Sequence, residues 1–435
     1  MKSVWTDSVT LPHFEKLQGK TKTDVLIIGG GLAGVLTAYF LKQRGVNYTL
    51  VEAKSVGLGI TKNTTAKVTS QHGLIYDKLY SSVGIEKAKM YLQANEKALA
   101  KYKDLAKNID CDFVEMSNFV YSMNDKSIIG KEVDTVNKLG FKAEYVEKMP
   151  LPVKPIAAIE FKNQAQFNPL KFMAGIAEGL NIYENTFVKE IDKHTAITTG
   201  GNITANKIIV ATHFPFINSH GSYFLKMYQD RSYLIALKNA PDLNGMYVDE
   251  AQKGMTFRNY QDLLILGGGD HRTGKEGGRY QELRDFAKKH FPEAHESYAW
   301  SNQDCMTLDG VPYIGHYSSM TPDLYVATGF NKWGMTSSMV SAMLLTDMII
   351  GQKPDYAEVY SPHRSMLKPQ LFINGFESIV NLLAPTGKRC PHMGCALKYN
   401  KTENTWECPC HGSRFDQDGR LIDNPAMRDK DIKSD

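Results

Sequence analysis

A chain of 435 residues is long enough for two or three domains with real cores, and 42% hydrophobic with 23% charged residues is ordinary composition for a globular, water-soluble protein. Lys and Arg total 51 against 47 Asp and Glu, with no dense basic run, which argues against nucleic acid or an acidic membrane surface as a main partner. Internal repeats and low-complexity tracts are absent from the sequence.

Residues 1–23 are mixed in character and read as a surface extension. Asp24 then introduces the apolar run Val25 to Ile28, the pattern of a parallel strand buried on both faces. It ends in Gly29-x-Gly31-x-x-Gly34, followed by a helix from Leu32 to about Arg44, closed by Gly45, and a second strand, Tyr48 to Val51, ending in Glu52. Each residue has a physical role: Gly29 for a tight turn, Gly31 for close approach of a pyrophosphate, Gly34 for helix packing and Glu52 to accept from a ribose hydroxyl. A lone glycine fingerprint is common, whereas strand, fingerprint, helix, strand and acid in register point to a dinucleotide. Residues 25–41 begin late, contain the glycines and lack a following cleavage site, so they read as neither a signal peptide nor a membrane span. A cytoplasmic protein without a transmembrane segment is the expectation.

Further along, Glu86 to Lys107 has helical periodicity, whereas Ser232 to Leu237, Met255 to Arg258 and Leu263 to Leu266 alternate like antiparallel strands. Residues 203–212 form a strand ending at a turn, and 324–335, LYVATGFNKWGM, a strand and glycine-bounded turn before a helix to about Ile350. Gly267-Gly268-Gly269 lacks a spaced third glycine, so no second dinucleotide fold follows. The late strand-ATG-helix unit, with DGVPYIG at Asp309 to Gly315, resembles the glycine-oxidase and D-amino-acid-oxidase type of FAD-dependent oxidoreductase. That resemblance implies FAD held by parts near 24–80, 161–215 and 301–350. A mainly antiparallel substrate domain would come from 81–160 and 216–300. It also implies flavin contacts from Thr61, Thr64 and Thr65 in the segment Gly57 to Gly73, from the Val188 backbone, and from a helix N-terminus between Gly329 and Gly334. Such a terminus favours an anionic reduced ring, and Lys332 adds charge there. Arg258, His271, His72 and Arg231 are polar candidates for the substrate cavity, with Lys332, Arg258 and His271 the candidate catalytic groups.

Residues 351–384 connect this domain, 24–350, to the last one, 385–435. Leu367, Leu371, Phe372, Phe376, Ile379, Val380 and Leu383 fall at helical spacing and predict an amphipathic helix packed on the flavin domain.

The stretch Cys390 to Phe415, CPHMGCALKYNKTENTWECPCHGSRF, holds four of the six cysteines and two histidines. C-x-H and C-x-x-H boxes suit a [2Fe-2S] cluster with two thiolates on one iron and two imidazoles on the other, or a structural zinc ion. CPHMGC and CPCHGS resemble the boxes of the Rieske iron-sulfur family. The resemblance implies that Cys390, His392, Cys408 and His411 are ligands, that Cys395 and Cys410 form a disulfide, and that Ser413 donates to a bridging sulfide. It also implies that the turn at Pro425 shields the cluster. A cytoplasmic disulfide departs from the usual redox rule and needs burial. Phe415 stands where high-potential members carry a tyrosine, which implies a lower potential. Cys111 and Cys305 read as buried small hydrophobes.

The expected architecture is therefore a Rossmann-like FAD domain interleaved with an antiparallel substrate domain, plus a small all-β Rieske domain. The expected chemistry is oxidation of a small amine or amino acid at FAD, with electrons passed singly through the cluster to an external acceptor; the reverse direction stays open. A module that only transfers electrons or senses redox state is the alternative. A Rieske oxygenase would also need a mononuclear iron domain, and no segment remains to house one.

Overall fold

The structure, a computed structural model, describes residues 2–275 and 279–431; positions 432–435 of the expected last domain lie outside the described residues. The apolar run Val25 to Ile28 is the buried end of the strand Gly19–Ile28. It has parallel neighbours, Tyr48–Val51 and Gly201–Val210, and is apolar on both faces because both are covered: Val25 and Ile27 pack with Val35 and Leu36, Leu26 and Ile28 with Val188 and Ala205. The parallel core runs Ile182–Tyr183, Tyr48–Val51, Gly19–Ile28, Gly201–Val210, Leu324–Thr328, with Tyr313–His316 antiparallel at the edge. Helices Leu32–Gln43 and Gly334–Ile349 pack against each other, and the helix Ile85–Ala106 packs on the second of these. The periodic helix of the first insert thus supports the FAD domain rather than the substrate sheet.

The second sheet has nine strands, in the order His295–Thr307, Met227–Lys238, Leu263–Arg272, Thr256–Tyr260, Met246–Asp249, Val114–Ser122, Ala157–Gln166 and Lys67–Val68, with Glu144–Val146 added on Ala157–Gln166. The expected boundaries near 160 and 300 fall inside Ala157–Gln166 and His295–Thr307. Both strands belong wholly to this sheet, and their burial does not alternate, so a period of two does not mark where they begin.

Residues 2–23 are no surface extension. Trp5 is fully buried, its ring centroid 4.7 Å from that of Tyr260, and its indole N–H donates to Thr64 O at 2.8 Å. Val4 and Leu17 are buried too, and a few anchors in a polar stretch hold the segment where average composition does not reveal it.

The helix Pro369–Leu383 also departs from expectation, because its apolar face points outward. Asn374 and Asn381 are its buried residues. The surface beneath is polar: Arg272 donates to Asn374 Oδ1 at 2.9 Å, Asn374 donates to Leu225 O at 3.2 Å, and Lys275 pairs with Glu377 at 2.6 Å. A 3.6-residue period shows that a helix has two faces, and the partner surface decides which is buried.

The last domain is a four-stranded antiparallel meander, Lys398–Asn400, Thr405–Glu407, Arg414–Asp416 and Leu421–Asp423. It docks on the substrate sheet through a buried ionic network. The Arg231 guanidinium is wholly inaccessible; it pairs with Glu403 and donates to Ser301 Oγ at 2.7 Å. Arg414 continues the network to Glu407 at 3.5 Å and Asp423 at 2.9 Å. Arg231 therefore serves the domain seam, not a substrate. Burial alone would raise the Glu403 carboxyl, but Arg231 and Arg414 outweigh it and hold Glu403 below the usual carboxylate range.

Breaking one partner of a buried pair strands the other charge, so Glu403→Gln is expected to destabilise the protein by about 3 kcal/mol in a denaturant melt. A depressed carboxyl stabilises above its unfolded value of about 4.3 and loses that contribution as pH falls through the folded value. The Gln variant should lack that part of the acid limb.

Candidate functional site: a dinucleotide cavity beside a cysteine-histidine pocket

A cavity of about 1390 Å³ lies between the two sheets. The glycine fingerprint forms one wall. Gly29 has φ +114°, and a β-carbon there would lie 2.5 Å from Ala211 O, so the turn accepts only glycine. At Gly34 a β-carbon would meet Gly29 O at 2.0 Å, the close packing the fingerprint needs. Gly31 differs: an added β-carbon finds only Thr61 Oγ1 at 3.8 Å, so its backbone is open to the cavity, where a pyrophosphate needs it.

Glu52 lines the same space. Its carboxylate accepts the Gly30 and Lys54 N–H groups at 2.7 and 2.8 Å, and each oxygen keeps a lone pair for a ribose hydroxyl. Thr61, Thr65 and Val188 line it as well, with Thr61 Oγ1 accepting the Leu32 N–H at 3.2 Å. At the other end, Gly334 faces the cavity as the first residue of its helix. Gly329 does not; it forms a turn at φ +71° against Thr307, and the helix begins at Gly334, after the glycine-bounded turn.

The cysteine-histidine boxes fold as two matching loops. Gly394 N–H donates to Cys390 O, and Gly412 N–H to Cys408 O, both at 2.9 Å; these glycines have φ +79° and +84°. The loops bring His392 Nδ1 and His411 Nδ1 within 3.3 Å of each other and the buried Cys390 and Cys408 thiols into hydrogen-bonding contact. Cys395 and Cys410 are joined across the loops. Ser413 Oγ is hydrogen-bonded with the Cys390 thiol and accepts the Ala426 N–H at 3.0 Å. A pair of thiols in contact beside a pair of imidazoles in contact is a donor set that fits a [2Fe-2S] cluster with one pair on each iron. Pro425, after a cis peptide bond, precedes Ala426, which is buried in one small core with Cys390 and Cys408.

A family model described as FAD dependent oxidoreductase (DAO) matches residues 24–348. The chain belongs to this family. A second model, the Rieske [2Fe-2S] domain, matches residues 380–434. YhfW of Bacillus subtilis (strain 168), named as a Rieske 2Fe-2S iron-sulfur protein, is 34% identical over 98% of this chain and 96% of its own length. Gamma-glutamylputrescine oxidoreductase of Escherichia coli (strain K12) is 21% identical over 78% of this chain and 86% of its own. Among solved structures, glycine oxidase from Geobacillus kaustophilus superposes with a TM-score of 0.68 at 19% identity, covering 79% of this chain and 99% of its own. L-proline dehydrogenase from P. horikoshii gives 0.67 at 17% identity, covering 79% and 98%. The DAO domain binds FAD and the Rieske domain a [2Fe-2S] cluster.

Of the polar candidates in this DAO-Rieske chain, Lys332 and Arg231 border the cavity, Arg231 with its guanidinium committed to Glu403. The Lys332 ammonium pairs with Asp230 at 2.8 Å and Asp270 at 2.7 Å. Burial, with Asp230 and Asp270 close by, raises Asp304 beside them to about 7 against the pull of Lys332. Arg258 does not reach the cavity. It is fully buried beneath the 57–73 segment, donating to Thr65 O at 2.7 Å and Ala66 O at 3.0 Å, and so shapes that loop from behind. His271 sits within the sheet, bonded to Tyr233 OH and Arg272 O, both at 2.9 Å. His72 is enclosed by Tyr91 and Thr336 and stacked on Trp333. All three point into the protein because each side chain's partners lie on the inner side of its element.

Lys67 was not among the candidates. Its ammonium lines the cavity and donates to Thr256 Oγ1 at 2.7 Å; burial, then the Arg258 charge, lowers it to about 7. Its apolar neighbours Ala66 and Val68 were the available signal in the sequence.

Phe415 is fully buried and packs in one small core with Cys390, Cys408 and Ala426. A hydroxyl there would donate toward ligand sulfur and ease reduction. Phe415→Tyr is expected to raise the cluster potential by about 1 kcal/mol, on the order of tens of millivolts for one electron, read by protein-film voltammetry. An unchanged potential in a fully loaded cluster means the ring edge is turned from Cys390.

Proposed function

We propose that this protein is an FAD-dependent amine dehydrogenase, working in the cytoplasm, whose electrons leave singly through the Rieske cluster to an external acceptor. The observation carrying this reading is the Gln303 side chain, which borders the FAD cavity while its amide donates to Gly412 O at 2.9 Å in the cluster loop. Gln229 stands beside it, accepting from Gln303 at 2.5 Å and donating to His411 O at 2.8 Å. One side chain thus spans from cavity to cluster loop, a separation over which electrons pass readily. Cys390, His392, Cys408 and His411 would hold the cluster, and Gly31, Glu52, Thr61, Thr65, Val188 and Gly334 would line the FAD. Bound FAD supplies two-electron acceptance from a carbon next to nitrogen, and the cluster supplies one-electron transfer.

The electrostatics of the cavity favour an amine over an amino acid. Asp230, Asp270 and Asp304 outnumber the one ammonium of Lys332 at that end, so a substrate ammonium is attracted and a carboxylate repelled. Arg258 and His271, the groups that would have received a carboxylate, face away. An ammonium must lose its proton before its carbon can release hydride. Lys67, neutral above about 7, is a cavity group able to accept that proton at Nζ.

Anaerobic mixing with primary amines, diamines and amino acids tests the reading. Amines should bleach the flavin and then produce a rhombic paramagnetic signal from the reduced cluster, while amino acids do neither. Should every amine leave the flavin oxidised while dithionite-reduced flavin still exchanges electrons with the cluster, the protein is an electron-transfer module without an amine substrate. Because the base acts unprotonated, kcat/KM should rise tenfold per pH unit below about 7 and level off above it. Lys67→Met should abolish that limb and lower the plateau by about a hundredfold.

A further inference from the structure

Between residues 367 and 383 every exposed side chain is apolar. On the helix Pro369–Leu383 the outward face is built from Phe372, Ile373, Phe376, Ile379, Val380 and Leu383, with Phe372 71%, Phe376 66% and Leu383 78% exposed. Isolated exposed hydrophobes are ordinary, but a contiguous face containing two phenylalanines marks a binding surface. We propose that this helix lies in the surface of an anionic lipid bilayer, apolar face down, and docks the protein on the membrane without crossing it.

Length decides between crossing and lying flat. Fifteen residues make a helix of about 22 Å, short of the roughly 30 Å of a hydrocarbon core. No helix among the described residues is long and apolar enough to cross a membrane. A helix with one apolar face and cationic flanks instead settles at the headgroup boundary.

Charge decides the occupant. Lys368 precedes the helix, and Lys388 and Arg389 follow it. Arg389 caps the helix end, donating to Leu382 O, Ala384 O and Gly394 O, and so holds its charge at the rim. Glu377, the one acid between 365 and 389, is turned inward to Lys275 at 2.6 Å. The rim is thus cationic and the face carries no acid, matching an anionic leaflet. A second copy of this chain would set lysine against lysine with no acid to pair, which disfavours self-association through this face. The overall charge of +4, the basis for arguing against an acidic membrane partner, does not register so local an arrangement.

The face continues to the cluster. A β-carbon on Gly394 would lie 3.8 Å from Leu382, and neighbouring Met393 is 41% exposed, so docking brings the 390–395 loop to the bilayer surface. This inference does not depend on the amine reading.

The test is co-sedimentation of the full-length holoprotein with phosphatidylcholine vesicles, with and without phosphatidylglycerol. Most of the protein should pellet with phosphatidylglycerol vesicles at low salt. At least tenfold less should pellet with phosphatidylcholine alone, at high salt, or when Phe372→Ser, Phe376→Ser and Ile379→Ser are combined. The combined variant should keep its flavin and cluster absorbance. Should it fold poorly, Phe376→Trp carries the test, since its fluorescence should shift to the blue on phosphatidylglycerol vesicles only. Wild-type protein remaining in the supernatant, or no blue shift, overturns the proposal. So does equal binding to both vesicle types, or a concentration-dependent dimer in solution that the serine variant abolishes.

Discussion

The seam between the Rieske module and the substrate sheet depends on a directional constraint. Four strands of three residues each enclose only a small core around Cys390, Leu397, Phe415 and Ala426, so the module cannot hold its orientation alone. Apolar contact would tolerate sliding, whereas this seam includes the Arg231 to Glu403 pair, the Gln229 and Gln303 amides on the His411 and Gly412 carbonyls, and Arg272 on the Pro409 and Cys410 carbonyls. Such bonds have one geometry. Backbone approaches enforce it: a β-carbon on Gly412 would lie 2.5 Å from Gln229, and one on Gly274 2.9 Å from Pro409. The ionic network costs desolvation, and what it provides is a fixed relation between the cluster loops and the cavity wall.

Within the cavity the same economy of charge recurs. Lys332 is held by two aspartates, and a third carboxylate is kept near neutrality by burial, so the excess acid at that end is modest and responsive to pH. Lys67, with no carboxylate paired to it among the described residues, titrates in the same range from the opposite direction. A cavity with one cation neutralised and another easily deprotonated suits a substrate that arrives charged and reacts uncharged.

What was legible in the sequence is what short-range spacing encodes. Gly29, Gly31 and Gly34, the two cysteine-histidine boxes and the strand ending at Glu52 each place their chemistry within a few residues, and the structure finds them as local units. Illegible were the features fixed by what lies across an interface. Periodicity placed the helix Pro369–Leu383 but not its orientation, because the surface beneath it presents Arg272, Lys275 and backbone carbonyls. Arg258 and His271 occur on strands of the substrate sheet, yet their partners draw them away from the cavity. Lys67 looked like one basic residue among several in a threonine-rich loop until burial separated it from Lys62 and Lys54. Trp5 acquires meaning only with Thr64 and Tyr260 beside it, some 60 and 255 residues away.

The last strand and its trailing loop have a consequence for assembly. Leu421 to Asn424 and Ala426 to Asp429 form part of the FAD cavity wall, Lys54 reaches across to Leu421 O and Ile422 O, and Asn424 donates to Thr212 O and Phe214 O at 2.8 and 2.7 Å. Residues 421–429 of the cluster module are therefore a stopper in the vessel that the glycine fingerprint begins. Opening the seam would therefore uncover the nucleotide side as well as the cluster side, so a single docking event encloses both prosthetic groups.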